Sequence, residues 1–165
     1  LEATAKQYGL EVNDEVDERY DLEKATRAAC KYLKNSYDTL KSWALVAASY
    51  NMGLSGIMNS LKDQEVDSYY DLHLNTETSR YVFRLIAIKL IHKNPEDFHF
   101  TLKPSDYYPS YKTKTIEVNY EIASLPKFAR LNGTNYKTLK ILNPWLRKPY
   151  LKNKDNKTYK ILIPA

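Results

Sequence analysis

From Ser42 to Leu61 the chain runs for 20 residues without a charge, and such a run must either cross a bilayer or be buried in a folded protein. Ser42, Ser49, Asn51, Ser55, Asn59 and Ser60 interrupt it, with Gly53 and Gly56 near its middle. It is therefore read as a buried helix, a turn and a second helix, not as a membrane span. Composition agrees with a folded protein: 43% of the 165 residues are hydrophobic and 27% charged, close to globular usage. A chain of this length can bury roughly 70% of its unfolded surface. Cys30 is the single cysteine, so there is no internal disulfide and no thiolate cluster for zinc. Four glycines exclude collagen and flexible linkers, while 15 tyrosines are far above an ordinary share.

The net charge of +5 is unevenly placed. Residues 1–100 carry 12 Lys and Arg against 16 Asp and Glu, and residues 101–165 carry 13 against 4. The C-terminal third is thus a separate electrostatic object, either a module facing an anionic partner or a solvated basic face. A nucleic-acid reading would rest on this charge alone and is set aside.

Helical periodicity dominates up to Pro95. Leu1 already reads as helical, with a stop at Gly9, and no basic stretch followed by an apolar run marks a secretory signal. The chain is therefore expected to be the later part of a longer one. An acidic loop follows, and Asp21 is the expected N-cap of a helix reaching about Ser36, with Leu22, Ala25, Ala29, Tyr32 and Leu33 on its apolar face. Cys30 lies on that helix as an expected packing residue. Trp43–Ser49 reads as a central helix buried on most sides. The polar pair at its end, Tyr50 and Asn51, either caps the helix or lines a cleft. A short helix over 54–61 and a longer one over 76–92 come next, the latter stopped by Asn94-Pro95. A tyrosine-rich connector leads to a strand at 115–118, helices at 125–131 and 136–142, and a strand at 159–163.

Phosphate chemistry is excluded because no glycine-rich loop is followed by Lys-Ser or Lys-Thr. His73, His92 and His99 never lie three or four apart, so no helix face offers two metal ligands, and neither a metal nor a cofactor is expected. No serine is framed as Gly-x-Ser-x-Gly. Carboxylates and tyrosines remain, the pair that suits glycan chemistry: a carboxyl group for acid-base cleavage and flat rings to hold sugars.

Five motifs then carry a resemblance over residues 1–90: Ala3-Thr4-Ala5-Lys6-Gln7-Tyr8-Gly9-Leu10, Asp17-Glu18-Arg19-Tyr20-Asp21, Ala25-Thr26-Arg27-Ala28-Ala29 with Tyr32-Leu33, Trp43-Ala44-Leu45 with Tyr50-Asn51 and Gly53, and Glu77-Thr78-Ser79-Arg80-Tyr81-Val82. In this order they resemble the lytic transglycosylases of the soluble, goose-lysozyme-like type. The resemblance implies a mainly α, lysozyme-like domain acting on peptidoglycan in the bacterial cell envelope, periplasmic or outer-membrane associated. It implies cleavage between N-acetylmuramic acid and N-acetylglucosamine, the sugar's own 6-hydroxyl closing a 1,6-anhydro ring. The family's acid is a glutamate followed by serine, and none of the ten glutamates here is so followed. The expectation is that the acid lies upstream of Leu1. By resemblance Tyr50 and Asn51 line the glycan cleft, Tyr81 orients the acid and Glu77 supports the cleft, unless Glu77 is simply a first-turn acid favoured by the helix dipole.

Residues 122–164 resemble a LysM-type glycan-binding module, with Val118-Asn119-Tyr120-Glu121 in place of the usual Gly-Asp-Thr turn, so the tail either binds glycan or is structural. The expected organisation is a helical domain over 1–100, a linker over 101–114 and a small α+β LysM-like module over 115–165. The expected partner is the glycan strand of peptidoglycan, bound by a piece that does not itself cut. The alternative is a non-catalytic peptidoglycan-binding protein. Absent upstream helices would also leave Val46, Leu85 or Ile88 uncovered and favour oligomers.

Overall fold

The computed structural model describes residues 1–165. Its helices are α1 (Glu2–Gln7), α2 (Leu22–Leu40), α3 (Trp43–Met52), α4 (Leu54–Asp63) and α5 (Thr76–Lys93), followed by strand β1 (Thr113–Val118), α6 (Leu125–Leu131), α7 (Tyr136–Leu142) and strand β2 (Tyr159–Pro164). The chain is mainly α with a small α+β part at its C-terminal end, the class read from the sequence. No helix is long and apolar enough to cross a membrane. By its contacts the chain falls into two compact units, Leu1–Ala29 with Pro109–Ala165, and Cys30–Tyr108.

In the first unit, β1 and β2 pair antiparallel from Thr113 opposite Pro164 to Val118 opposite Tyr159. The two helices between them start on side-chain caps: Ser124 accepts from the Lys127 N–H and Asn135 from the Thr138 N–H. Pro126 sits in the first turn of α6, where its missing N–H costs nothing. Val118, Ile122, Leu125, Phe128, Leu139, Leu146, Leu151, Ile161 and Ile163 form the core. Asn143 is fully buried at the end of α7. Its Nδ2 donates to the carbonyls of Leu139 and Leu162 at 2.9 and 2.7 Å, and its Oδ1 accepts from the Leu162 N–H at 2.8 Å. One amide thus closes a helix and fixes the last strand.

The N-terminal residues complete this unit. At the end of α1 the Leu10 N–H bonds Ala5 O and the Gly9 N–H bonds Lys6 O, a turn that Gly9 permits with φ +86°. Residues 11–18 then fold into a small hairpin closed by a bridge between Val12 and Asp17, and its second arm meets the C-terminal module. Val16 enters the core at 1% exposure and bridges Leu146, with Asp17 N–H donating to Trp145 O at 2.9 Å and Arg147 N–H to Glu15 O at 2.7 Å. The Glu11 carboxylate accepts from the Tyr159 hydroxyl and from Lys157, both at 3.1 Å. Glu15 accepts from the Lys152 N–H at 2.7 Å, and the Arg147 guanidinium lies 3.9 Å from the centre of the Tyr20 ring. Part of the basic tail is therefore neutralised by the acidic loop of the same chain.

In the second unit, Leu45, Ala48, Ile57, Tyr69 and Val82 form a core between α3, α4 and α5. Gly53, at φ +92° and ψ 147°, ends α3 and starts α4 in a conformation closed to side chains with a Cβ. Three expectations need correction. The helix begun by Asp21 runs to Leu40 instead of about Ser36, since no glycine or proline intervenes and the turn comes only at Lys41, with φ +52°. Cys30 is exposed, because the inward positions of α2 are Ala28 and Ser36, and Cys30, two residues from Ala28, points away from that face. Leu22, the first residue of α2, is exposed rather than part of an apolar face. Leu85 and Ile88 are exposed, whereas Val46 is buried within α3.

Candidate functional site

The second unit brings together the four residues singled out in the sequence. α3 delivers Tyr50 and Asn51 at its last turn, and α5 delivers Glu77 and Tyr81 one helical turn apart on one face. Asn51 is held from both sides. Its Oδ1 accepts from the Thr78 hydroxyl at 2.8 Å and its Nδ2 donates to the Glu77 carboxylate at 3.1 Å, so the two bonds together fix which way the amide points. Thr78 is itself 1% exposed and anchored by Asn75, whose Oδ1 accepts from the Thr78 N–H at 2.9 Å and caps α5. Tyr69 adds a brace, its hydroxyl donating to the Ser79 carbonyl at 2.7 Å; burial pushes its phenol up.

Tyr50 is about half exposed and meets the Tyr32 ring edge-on, with centroids 5.7 Å apart. The Tyr32 hydroxyl donates to the Ser49 carbonyl at 2.8 Å, which ties α2 to the end of α3. Tyr81 is half-buried. Burial raises its phenol first and the nearby Tyr50 second, so the Tyr81 hydroxyl stays a protonated donor through the neutral range. The result is two phenols, a fixed carboxamide and an exposed carboxylate around one helix end, donors and acceptors suited to the hydroxyl and acetamido groups of a sugar. No three His, Cys, Asp or Glu side chains gather as metal ligands. A separate concavity of about 500 Å³ in the first unit, lined by Glu11, Asn13, Leu151, Asn153 and Tyr159 among others, shares no residue with this cluster.

Sequence reading missed Thr78, Asn75 and Tyr69. The spacing of Asn75 and Thr78 is that of a helix N-cap and its N3 residue, which could have marked Thr78 as fixed. Nothing local announces that its hydroxyl reaches Asn51, 27 residues away.

Two family descriptions match the chain: "Transglycosylase SLT domain" over residues 1–72 and "Soluble lytic transglycosylase C-terminal LysM-like domain" over residues 114–165. Tyr50 and Asn51 lie inside the first match, and Glu77 and Tyr81 lie beyond its end. Among curated proteins the chain is similar to the membrane-bound lytic murein transglycosylase D of Escherichia coli strain K12 and of Escherichia coli O6:H1 strain CFT073. Each is 24% identical over 143 residues, covering 84% of this chain and 32% of the relative. The chain thus spans about a third of the length of the curated relatives it matches.

Proposed function

From a chain that carries an SLT segment and the LysM-like domain of soluble lytic transglycosylases, we propose a peptidoglycan lytic transglycosylase part whose own work is to hold the murein glycan strand. The observation that carries this is the Asn51 carboxamide, fixed between Thr78 and Glu77 beside Tyr50 and Tyr81. A sugar amide or hydroxyl can exchange for solvent at such a group with little ordering cost. Tyr50 and Asn51 contact the glycan, Glu77 supports the cleft, and Tyr81 orients the acid.

In the same proposal the whole enzyme cleaves the β-1,4 bond between N-acetylmuramic acid and N-acetylglucosamine with a 1,6-anhydro product, in the cell envelope. Residues 1–100 act as its helical domain and 115–165 as the LysM-like module. No carboxyl group of these 165 residues is assigned the acid, since Glu77 is exposed and already engaged by Asn51, and no glutamate precedes a serine. That favours a second reading, a peptidoglycan-binding protein without cleavage. Basic residues not met by the acidic loop could add contact with an anionic envelope surface, and exposed Leu85 and Ile88 a self-association that light scattering at high concentration would show.

The test is to mix the chain with purified sacculi, pellet them, and examine released material by mass spectrometry for 1,6-anhydro-muropeptides. Protein in the pellet, much reduced in Asn51→Ala and without products, supports the holding role. Anhydro products would mean a carboxyl group of this chain is the acid, and protein left in the supernatant would overturn the glycan reading.

A further inference from the structure

Four aromatic side chains of the second unit form a ladder on α2 and α3. Trp43 and Tyr50 are seven residues apart on α3, two turns, which puts both on one face about 10 Å apart along the axis. The antiparallel neighbour α2 supplies one partner to each. Tyr37 stacks on Trp43 with centroids 4.4 Å apart and ring planes at 23°, and Tyr32 meets Tyr50 edge-on at 72°. Trp43 is 59% exposed although Tyr37 covers one face of its indole, so the opposite face is open to water.

A wide flat ring left in solvent, held in place by a second ring, is a preorganised stacking surface. Asp38 and Lys41, neighbours of Tyr37 and Trp43 in the chain, are both exposed. A ligand for such a surface has an apolar flat face and a polar edge, as a pyranose ring does. The spacing to Tyr50 is about the length of two β-1,4-linked rings. Tyr50 follows Trp43 by two turns of the same helix and adjoins Asn51 in the chain, which makes one extended strand reaching both rings the fitting occupant.

We propose that Trp43, braced by Tyr37, is a second sugar platform on the α3 face, taking one ring of a β-1,4-linked N-acetylhexosamine strand whose other rings lie at Tyr50 and Asn51. This rests on the reading of the Tyr50–Asn51 cluster as a glycan site. It adds that the chain senses glycan length, because a short oligomer covers one end of the ladder and a longer one reaches both.

The experiment titrates the full chain with N-acetylglucosamine oligomers of two and six sugars while following tryptophan emission. Trp43 and Trp145 are the only tryptophans, and Trp145 is 6% exposed, so a change in emission reports chiefly on Trp43. The six-sugar oligomer is expected to move the emission to the blue and to bind more tightly than the two-sugar one. Trp43→Ala should weaken the six-sugar oligomer about three- to tenfold, the value of one stacked ring, and leave the two-sugar oligomer nearly unchanged. Should Trp43→Ala lower the melting temperature, Trp43→Leu, which keeps bulk but not a flat face, carries the same expectation. Unchanged six-sugar affinity in both variants overturns the platform while Asn51→Ala still reports on the neighbouring cluster. No binding of either oligomer by the unmodified chain overturns both readings. An emission that follows protein concentration and ignores sugar would assign Trp43 to a contact between two copies and overturn the proposal.

Discussion

Thr78 shows how much one hydroxyl can control. It is 1% exposed, donates to Asn51 and sits where the Asn75 cap fixes its backbone. Thr78→Val keeps the branched shape and removes the donor, leaving the Asn51 oxygen short of its partner. The expected cost is about 1–2 kcal/mol in chemical denaturation, together with a loss of sacculus pelleting larger than that stability change explains. Unaltered pelleting would separate Asn51 from glycan binding. Tyr159 makes a second prediction. Burial first, and the Glu11 carboxylate second, push its phenol above the ordinary value of 10.0. The folded state thus favours the neutral phenol, so its contribution is fully present below pH 10 and is lost as pH rises above that value. Alkaline titration followed by circular dichroism should show the first unit loosening above pH 10, and Tyr159→Phe should flatten that dependence.

At the scale of elements, residues 11–18 belong by packing to the C-terminal module although almost the whole chain separates them from it. Val16 is the one aliphatic side chain they place in the module's core cluster. Val16→Ala is expected to destabilise the first unit by about 1–3 kcal/mol, measured as a lower melting transition, and no change would mean that the segment merely lies on the surface. This element was only half legible. Gly9, the Asp21 cap, Pro126, Gly133 and Asn94-Pro95 act through their own backbone conformations, so the ends they mark could be read locally. The docking of Val16 could not, because an acidic run with two isolated valines has neither a period of two nor of 3.6. The opposite charges of this loop and the tail were visible, but composition cannot say that Lys157 and Glu11 meet. The Asn51 site follows the same division: its residues could be named from the motif, while the Thr78 bond that fixes them needed α3 and α5 side by side.

At the scale of the molecule, the first unit is built from both ends of the chain and the second is inserted between them. Tyr107, Tyr108 and Tyr111 are strongly exposed just where the chain returns to the first unit, which makes them sites for limited chymotrypsin cleavage. Cleavage after Tyr108 should give two fragments that stay together in native gel filtration, held by Val16, Glu11 and Asp17 against 109–165, and separate in denaturant. Fragments that part without denaturant would mean that these contacts do not sustain the unit. The same arrangement governs the order of events during synthesis. Glu11 waits for a partner 148 residues later in the chain, so this segment leaves the ribosome well before it can find its place. Closing so long a loop delays the step, and the acidic segment must remain soluble until the final strand has been made. Its charge, which reads in the folded protein as a counterpart to the tail, serves in that interval to keep a nascent chain from sticking to its neighbours.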